Sequence, residues 1–326
     1  MRDAVLLVTR HDDHFTVERV AAALAARGAR PYRVDGDRFP SQLQLSSRFD
    51  GGAFHHQLRL PGGATVRDDE VQAVWLRRLA PPLLDPELAP EFRDGCAREA
   101  VAALAGFLDG LHEARWIDPW PAIEAAENKL RQLRLAHHHG LPIPPTLVTN
   151  DPEAVRAFYA DHGGEVVAKL LTPFSTSMDG ASPFVHTSRV EAGDLDDLDG
   201  LAHAPMVFQG LVPKVLELRV ILVDGRCFVG AIDARGSARG QIDWRLARPE
   251  ESSWSVGSLP EAVAGSLGAV VQDLGLRYGA ADLIVTPEGE HVFLEVNPMG
   301  EWGMLERDLE LPIAAALAEA LLAPTA

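Results

Sequence analysis

Three oxygen-bearing side chains stand near the C-terminal end of the sequence. They are Asp282, Glu295 and Asn297, in the stretch Asp-Leu-Ile-Val-Thr-Pro-Glu-Gly-Glu-His-Val-Phe-Leu-Glu-Val-Asn-Pro. Two apolar runs, 281–286 and 291–296, flank a turn with Pro287 and Gly289, the pattern of a β-hairpin. Successive side chains of a strand point to opposite faces, so Glu295 and Asn297 share a side and Val296 turns away. A hairpin of this length sets Asp282 opposite them. Two carboxylates and an amide oxygen suit Mg²⁺, a hard cation that takes one or two protein carboxylates and completes its shell with water and substrate phosphates. The pattern predicts a magnesium site that receives a nucleotide.

Cations to match it can be found upstream. Lys169 sits mid-strand in Glu-Val-Val-Ala-Lys-Leu-Leu, where an unpaired ammonium is expensive; it either holds a phosphate as a point charge or snorkels from a sheet edge. Lys129 follows Asn128 at a helix start, where a cation opposes the local dipole unless an anion is bound nearby. Gln209, Gly210, Leu211 and Val212 form an extended segment whose backbone either pairs with the edge of an adenine or simply links two parts of the chain. Glu217 and Arg219 share one face of the next strand, and Arg219 either forks onto a phosphate or closes a cross-strand ion pair. Consecutive residues on a helix diverge, so His137-His138-His139 reads as a solvated helix end, and His11-Asp12-Asp13-His14 reads as a helix cap.

Around these residues the chain alternates. Strand 4–9, helix 15–27 and strand 31–35 predict parallel neighbours in a doubly wound α/β domain. A hairpin around Asp50-Gly51-Gly52, a strand 71–78 ending in Arg77-Arg78 and a helix over 90–112 complete it. No Gly-x-Gly-x-x-Gly turn follows the first strand, which removes the main support for a nicotinamide site. Pro119 and Pro121 read as a linker. A helix from Lys129, a strand after Pro144-Pro145, a helix over 152–162 and the Lys169 strand form a middle part with a small polar loop at 175–180. Beyond an acidic linker at 191–200 the chain is mostly strands: 205–212, 216–223, 226–233 and the C-terminal hairpin, with one helix near 260–274. The expected units are 1–118, 119–204 and 205–326.

Composition narrows the partners. Thirty basic against 47 acidic residues give a net charge of −17, which argues against general affinity for nucleic acid or anionic membrane. Cys96 and Cys227 make no disulfide framework, residues 1–10 are a β pattern and not a signal peptide, and no run approaches a transmembrane span. These features place the expected setting in the cytoplasm.

The assembled residues resemble the ATP-grasp superfamily and, more closely, the macrocyclising ligases of microviridin-type peptides, the graspetides. The likeness runs through nearly the whole chain. It rests on Tyr32 to Pro40, Val74-Trp-Leu-Arg77-Arg78, Asn128-Lys129 through Gln132-Leu133, and Gly140 to Asn150. Its most specific stretches are Phe208-Gln209, Val212-Pro213-Lys214, Glu217-Leu-Arg219 and Ile242-Asp243-Trp244-Arg245. Residues 234–240, rich in Gly and Arg, depart from the pattern.

The resemblance implies a three-part ATP-grasp fold: an N-terminal doubly wound α/β domain, a central α+β domain and a C-terminal antiparallel-sheet domain. It implies ATP and Mg²⁺ as cofactors. Lys129 and Lys169 would hold phosphates, 209–212 the adenine, Lys214 or Glu217 the ribose, and Arg219 the γ-phosphate. Asp282, Glu295 and Asn297 would take Mg²⁺, and Lys169 and Arg219 would serve catalysis. Arg77, Arg78, Arg235, Asp243 and Arg245 would meet a ribosomally made precursor peptide with a leader and an acidic core. A homodimer is the implied assembly. The alternatives are an ATP-grasp ligase of amino acids or protein termini and a non-catalytic peptide-binding scaffold; the complete metal and phosphate set weighs against the scaffold.

Overall fold

The β-α-β opening forms as the sequence predicts. In the computed structural model, which describes residues 2–172, 187–235, 242 and 253–324, β1 (Ala4–Thr9), α1 (Phe15–Ala25) and β2 (Arg30–Asp35) make a unit with parallel strands. β1 is buried on both faces, which is why it reads as a continuous apolar run. The hairpin is β3 (Gln44–Asp50) and β4 (Ala53–Arg59), joined by β5 (Thr65–Arg67) into a separate three-stranded sheet. Its turn needs Gly51 and Gly52, both at positive φ. β6 (Val71–Leu76) returns beside β1, and α2 (Pro90–Asp109) packs Leu104, Phe107 and Leu108 into a core with Leu6 and Val8.

The expected linker is not one. β7 (Arg115–Ile117) completes a parallel sheet of order β2-β1-β6-β7, and α3 (Trp120–Ala126) follows, with Pro121 in its first turn where a missing N–H costs nothing. A three-residue strand is too short to show a period, so β7 was invisible in the sequence. Between the two, buried Asp118 accepts from the backbone N–H of Arg277 at 2.9 Å and of Tyr278 at 3.0 Å. Burial pushes its carboxyl up to about 7 against the pull of those donors.

The middle part comprises α4 (Lys129–His138), β8 (Thr146–Thr149), α5 (Pro152–Asp161), β9 (Val166–Lys169), β10 (Ser188–Arg189) and β11 (Met206–Gly210). Asn128 caps α4 and Asp151 caps α5, each accepting a first-turn N–H. The strands form an antiparallel sheet of order β10-β9-β11-β8. β11 therefore belongs to this middle sheet, although the expected boundary at 204/205 assigned it to the last unit. Val166, Phe208 and Leu201 close a small core with Val155 of α5 on one face. The other face carries Val167, Lys169, Gln209 and Thr146, by the pairing of β9, β11 and β8.

The last part contains β12 (Leu216–Val223), β13 (Arg226–Asp233), β14 (Ser255–Val256), α6 (Glu261–Asp273), β15 (Tyr278–Val285), β16 (His291–Asn297), α7 (Gly303–Leu309) and α8 (Ile313–Leu322). Its antiparallel sheet has the order β14-β13-β12-β15-β16. One face is apolar throughout, packing Leu218, Val220, Leu222, Ala281 and Leu283 with α6 and the N-terminal core. The opposite face is divided. Ile221, Val223, Tyr278 and Ala280 pack with α1 and α8, while Glu217, Arg219, Asp282 and Glu295 continue the same rows as charges. That division places the site.

No helical period marks α8, because Ile-Ala-Ala-Ala-Leu-Ala-Glu-Ala-Leu-Leu is apolar nearly all round; it is a buried helix between α1 and the sheets. The His11–His14 segment does not cap α1 through a side chain. Asp13 instead accepts from the hydroxyls of Thr9 and Thr16, and His11 meets buried Asp37. No helix among the described residues is long and apolar enough to cross a membrane.

Candidate active site

The expected C-terminal hairpin exists, with Asp282 directly opposite Glu295 and Ala280 opposite Asn297. The sequence did not reveal a bulge: the partner of Asp282 is Glu295 but that of Leu283 is Phe293, so Leu294 is an extra residue immediately before Glu295. Bulges twist a strand locally and re-aim its side chains. Val296, between Glu295 and Asn297, is fully buried on the opposite face.

The carboxylates are held by cations from two directions. Arg219, directly across from Asp282 on β12, donates through one Nη at 2.7 and 2.8 Å to its two oxygens. Burial works against the guanidinium charge, but Asp282 more than offsets it and holds Arg219 above its ordinary value. From the start of α4, Lys129 reaches Glu295 at 2.8 Å; burial opposes its charge and Glu295 restores it, so its pKa is raised. The Lys129 side chain thus has an anion beside it in the helix's unfavourable N-terminal field.

Lys169 faces the same space from β9. Burial lowers its pKa, Lys129 lowers it further and Glu295 pulls it back in part. It makes no hydrogen bond or ion pair among the described residues. Three cations, Lys129, Lys169 and Arg219, therefore surround two carboxylates, leaving a net positive charge of one suited to a polyphosphate.

The other end of this cleft is lined by Gln209 to Val212, Lys214 and Glu217. Most of this extended segment has its backbone N–H groups already engaged. Gln209 and Gly210 lie in the β11 ladder, the Gln209 side chain bonds Thr146, the Gly210 N–H goes to Pro145 O and the Leu211 N–H to Glu165 O. Of the four backbone N–H groups, that of Val212 is the one without a partner among the described residues. Lys214 and Glu217 form a buried pair at 2.5 Å beside it.

Oxygen donors at Asp282, Glu295 and Asn297 fit the protein's share of a Mg²⁺ shell, two carboxylates and an amide on adjacent strands with the cleft open on the remaining side. A larger groove between the β3–β5 sheet and α2 is lined by His56 and Arg48 but contains none of these residues. Of the three adjacent histidines, His139 bonds Asp273 at 2.8 Å.

The expected peptide-gripping residues divide. Arg77 is 1% exposed and is occupied: it donates to Met299 O at 2.7 Å, Gly300 O at 3.3 Å, Thr16 Oγ at 3.3 Å and Glu301 at 2.5 Å. It clamps the turn that follows Asn297 and cannot also reach a substrate. Tyr278 donates to Gly300 O at 2.7 Å from the other side, and a Cβ on Gly300 would collide with Ala280. Arg78 is partly exposed and shares Glu301 at 2.8 Å. Arg235 is exposed and paired with Asp233. Asp243, Arg245 and the loop 175–180 lie outside the described residues, although their neighbour Ile242 lines the cleft. Glu301 and Tyr278 were missed because neither carries a pattern; only the fold brings them to Arg77.

Known proteins share this fold. A family model described as the MvdD pre-ATP grasp domain matches residues 4–124. Among solved structures, macrocyclase MdnB from Microcystis aeruginosa MRC is 46% identical, with 99% of this chain and 100% of that chain covered and a TM-score of 0.85. A Chryseobacterium gregarium RiPP-associated ATP-grasp ligase in complex with ADP and a leader and core peptide is 29% identical, over 99% and 98%, with a TM-score of 0.91. A curated glutathione synthetase from Rhodopseudomonas palustris is 30% identical over 147 residues, 44% of this chain and 45% of that protein. The chain spans about half the length of the curated relatives it matches. Fold and site define an ATP-grasp ligase. Within that superfamily, the chain belongs to the peptide macrocyclases that MdnB represents.

Proposed function

We propose that this protein activates Asp or Glu side chains of a ribosomally made precursor peptide as acyl phosphates and joins them to Thr, Ser or Lys side chains of the same peptide, closing macrocyclic esters or amides. The observation that carries this is the convergence of Lys129, Lys169, Arg219, Asp282 and Glu295 on one cleft, in a chain so similar along its length to a macrocyclase.

The chemistry follows from charge. A peptide carboxylate must approach the γ-phosphate of ATP, so two anions meet. Lys129 and Lys169 hold the phosphates and Arg219 the γ-phosphate, where its fixed charge offsets the negative charge of the transition state. Asp282, Glu295 and Asn297 would hold Mg²⁺, which would supply Lewis-acid stabilisation of phosphate charge. The Val212 N–H addresses the adenine edge, and Lys214 or Glu217 the ribose. The carboxylate oxygen bonds to the γ-phosphorus as ADP leaves; the hydroxyl or amine then attacks the acyl carbon, releasing phosphate and a proton. Arg78, Arg235 and Arg245, with Asp243, are the candidates for contacting the peptide, and Arg77 supports the site from behind.

The protein acts as a homodimer in the cytoplasm, where Cys96 and Cys227, both free, stay reduced; light scattering checks the dimer. Hydroxylamine added during turnover with a matched precursor, ATP and Mg²⁺ tests the intermediate. Trapped acyl phosphate is expected as a hydroxamate on peptide Asp or Glu side chains. ATP-dependent hydroxamate confined to free amino acids would instead establish an amino-acid ligase, the reading that the glutathione synthetase likeness favours.

A further inference from the structure

β16 is the edge strand of its sheet, and an edge leaves backbone N–H and C=O groups without a neighbouring strand. At Val296 a side chain takes the strand's place. Gln132 of α4 is fully buried; its Nε2 donates to Val296 O at 2.8 Å and its Oε1 accepts from Val296 N–H at 3.0 Å. The second amide hydrogen goes to Ala126 O at 2.7 Å. One acceptor and two donors are all used, and turning the amide over would set its oxygen against two carbonyls.

Val296 is the residue between Glu295 and Asn297. Gln132 is three residues after Lys129, one turn along the same helix, and Lys129 is the residue that pairs with Glu295. A single turn of α4 therefore grips the backbone at Val296 and the side chain just before it. We infer that Gln132 is a positioning residue for the metal site, setting Glu295 and Asn297 in register with Lys129. This rests on the assignment of those two residues as Mg²⁺ ligands. Groups that support metal ligands commonly change metal affinity ten- to a hundredfold when removed.

The test is ADP binding by calorimetry across a free-Mg²⁺ titration, well below the unfolding temperature, for wild type, Gln132→Leu, Gln132→Met and Glu295→Ala. Methionine matches the length of glutamine and fills space adaptably, so it carries the comparison if the leucine variant does not fold. The Gln132 variants are expected to need about ten to a hundred times more Mg²⁺ for half-maximal ADP affinity, with metal-free ADP binding unchanged. A folded Gln132 variant with wild-type Mg²⁺ dependence, beside a Glu295→Ala variant that has lost it, overturns the inference. If Glu295→Ala also keeps wild-type dependence, the metal assignment itself is wrong and the inference goes with it.

Discussion

Alanine at Asp282, Glu295 or Asn297 is expected to lower turnover by about 10²–10³-fold in each case, the usual effect of losing one preorganised electrostatic partner of a transition state. The three residues lie on two paired strands, Asp282 directly facing Glu295 and Asn297 two residues further on, so each loss removes an oxygen from the same end of the hairpin. Asp282→Ala carries a second consequence, because it leaves the buried Arg219 guanidinium without the carboxylate it is bonded to. Asp282→Asn preserves shape and a hydrogen-bond acceptor, and should separate loss of charge from loss of stability. Turnover and precursor affinity are to be measured separately, with affinity changing far less than turnover. Near-normal turnover in all three alanine variants would remove the metal assignment.

Arg77→Ala should act on stability first. The guanidinium is buried and joins Glu301, two carbonyls of the turn after Asn297 and Thr16. Losing it strips Met299 O of its donor, at about 1–3 kcal/mol for a buried group left unsatisfied, while Glu301 keeps Arg78 and Gly300 O keeps Tyr278. Arg78→Ala, which removes a partly exposed side chain, should cost much less. Urea midpoints for the two variants check this order. An Arg77→Ala protein with the wild-type midpoint but weakened peptide binding would restore Arg77 to the substrate.

The two arginines show where sequence reasoning stops. Arg77 and Arg78 are neighbours at a strand end, and adjacency made them look like one feature. Alternation along the chain sends one inward and leaves the other near the surface, and the reason for the inward one, the 299–301 turn, is more than two hundred residues away. The hairpin was legible because its pairing is local: strand period and turn chemistry put Asp282 across from Glu295 without knowledge of the rest. Lys129 and Lys169 were legible as anomalies, a cation in an unfavourable helix field and another amid apolar neighbours. Gln132 stood in a stretch that carries the resemblance but had no role of its own, because a buried amide is explained only by the edge strand it completes. Similarly, β7 was too short for a period, α8 too uniformly apolar, and the bulge at Leu294 changes no pattern that a sequence displays.

The most direct test of the central claim is the mass of a matched precursor peptide after incubation with the protein, ATP and Mg²⁺. Each side-chain linkage formed through an acyl phosphate releases one water, so successive losses of about 18 Da are expected. Both peptide termini should remain free, and mild base should reopen esters while leaving amides closed. A product heavier by a free amino acid, or ATP binding with no change in peptide mass, would contradict the account.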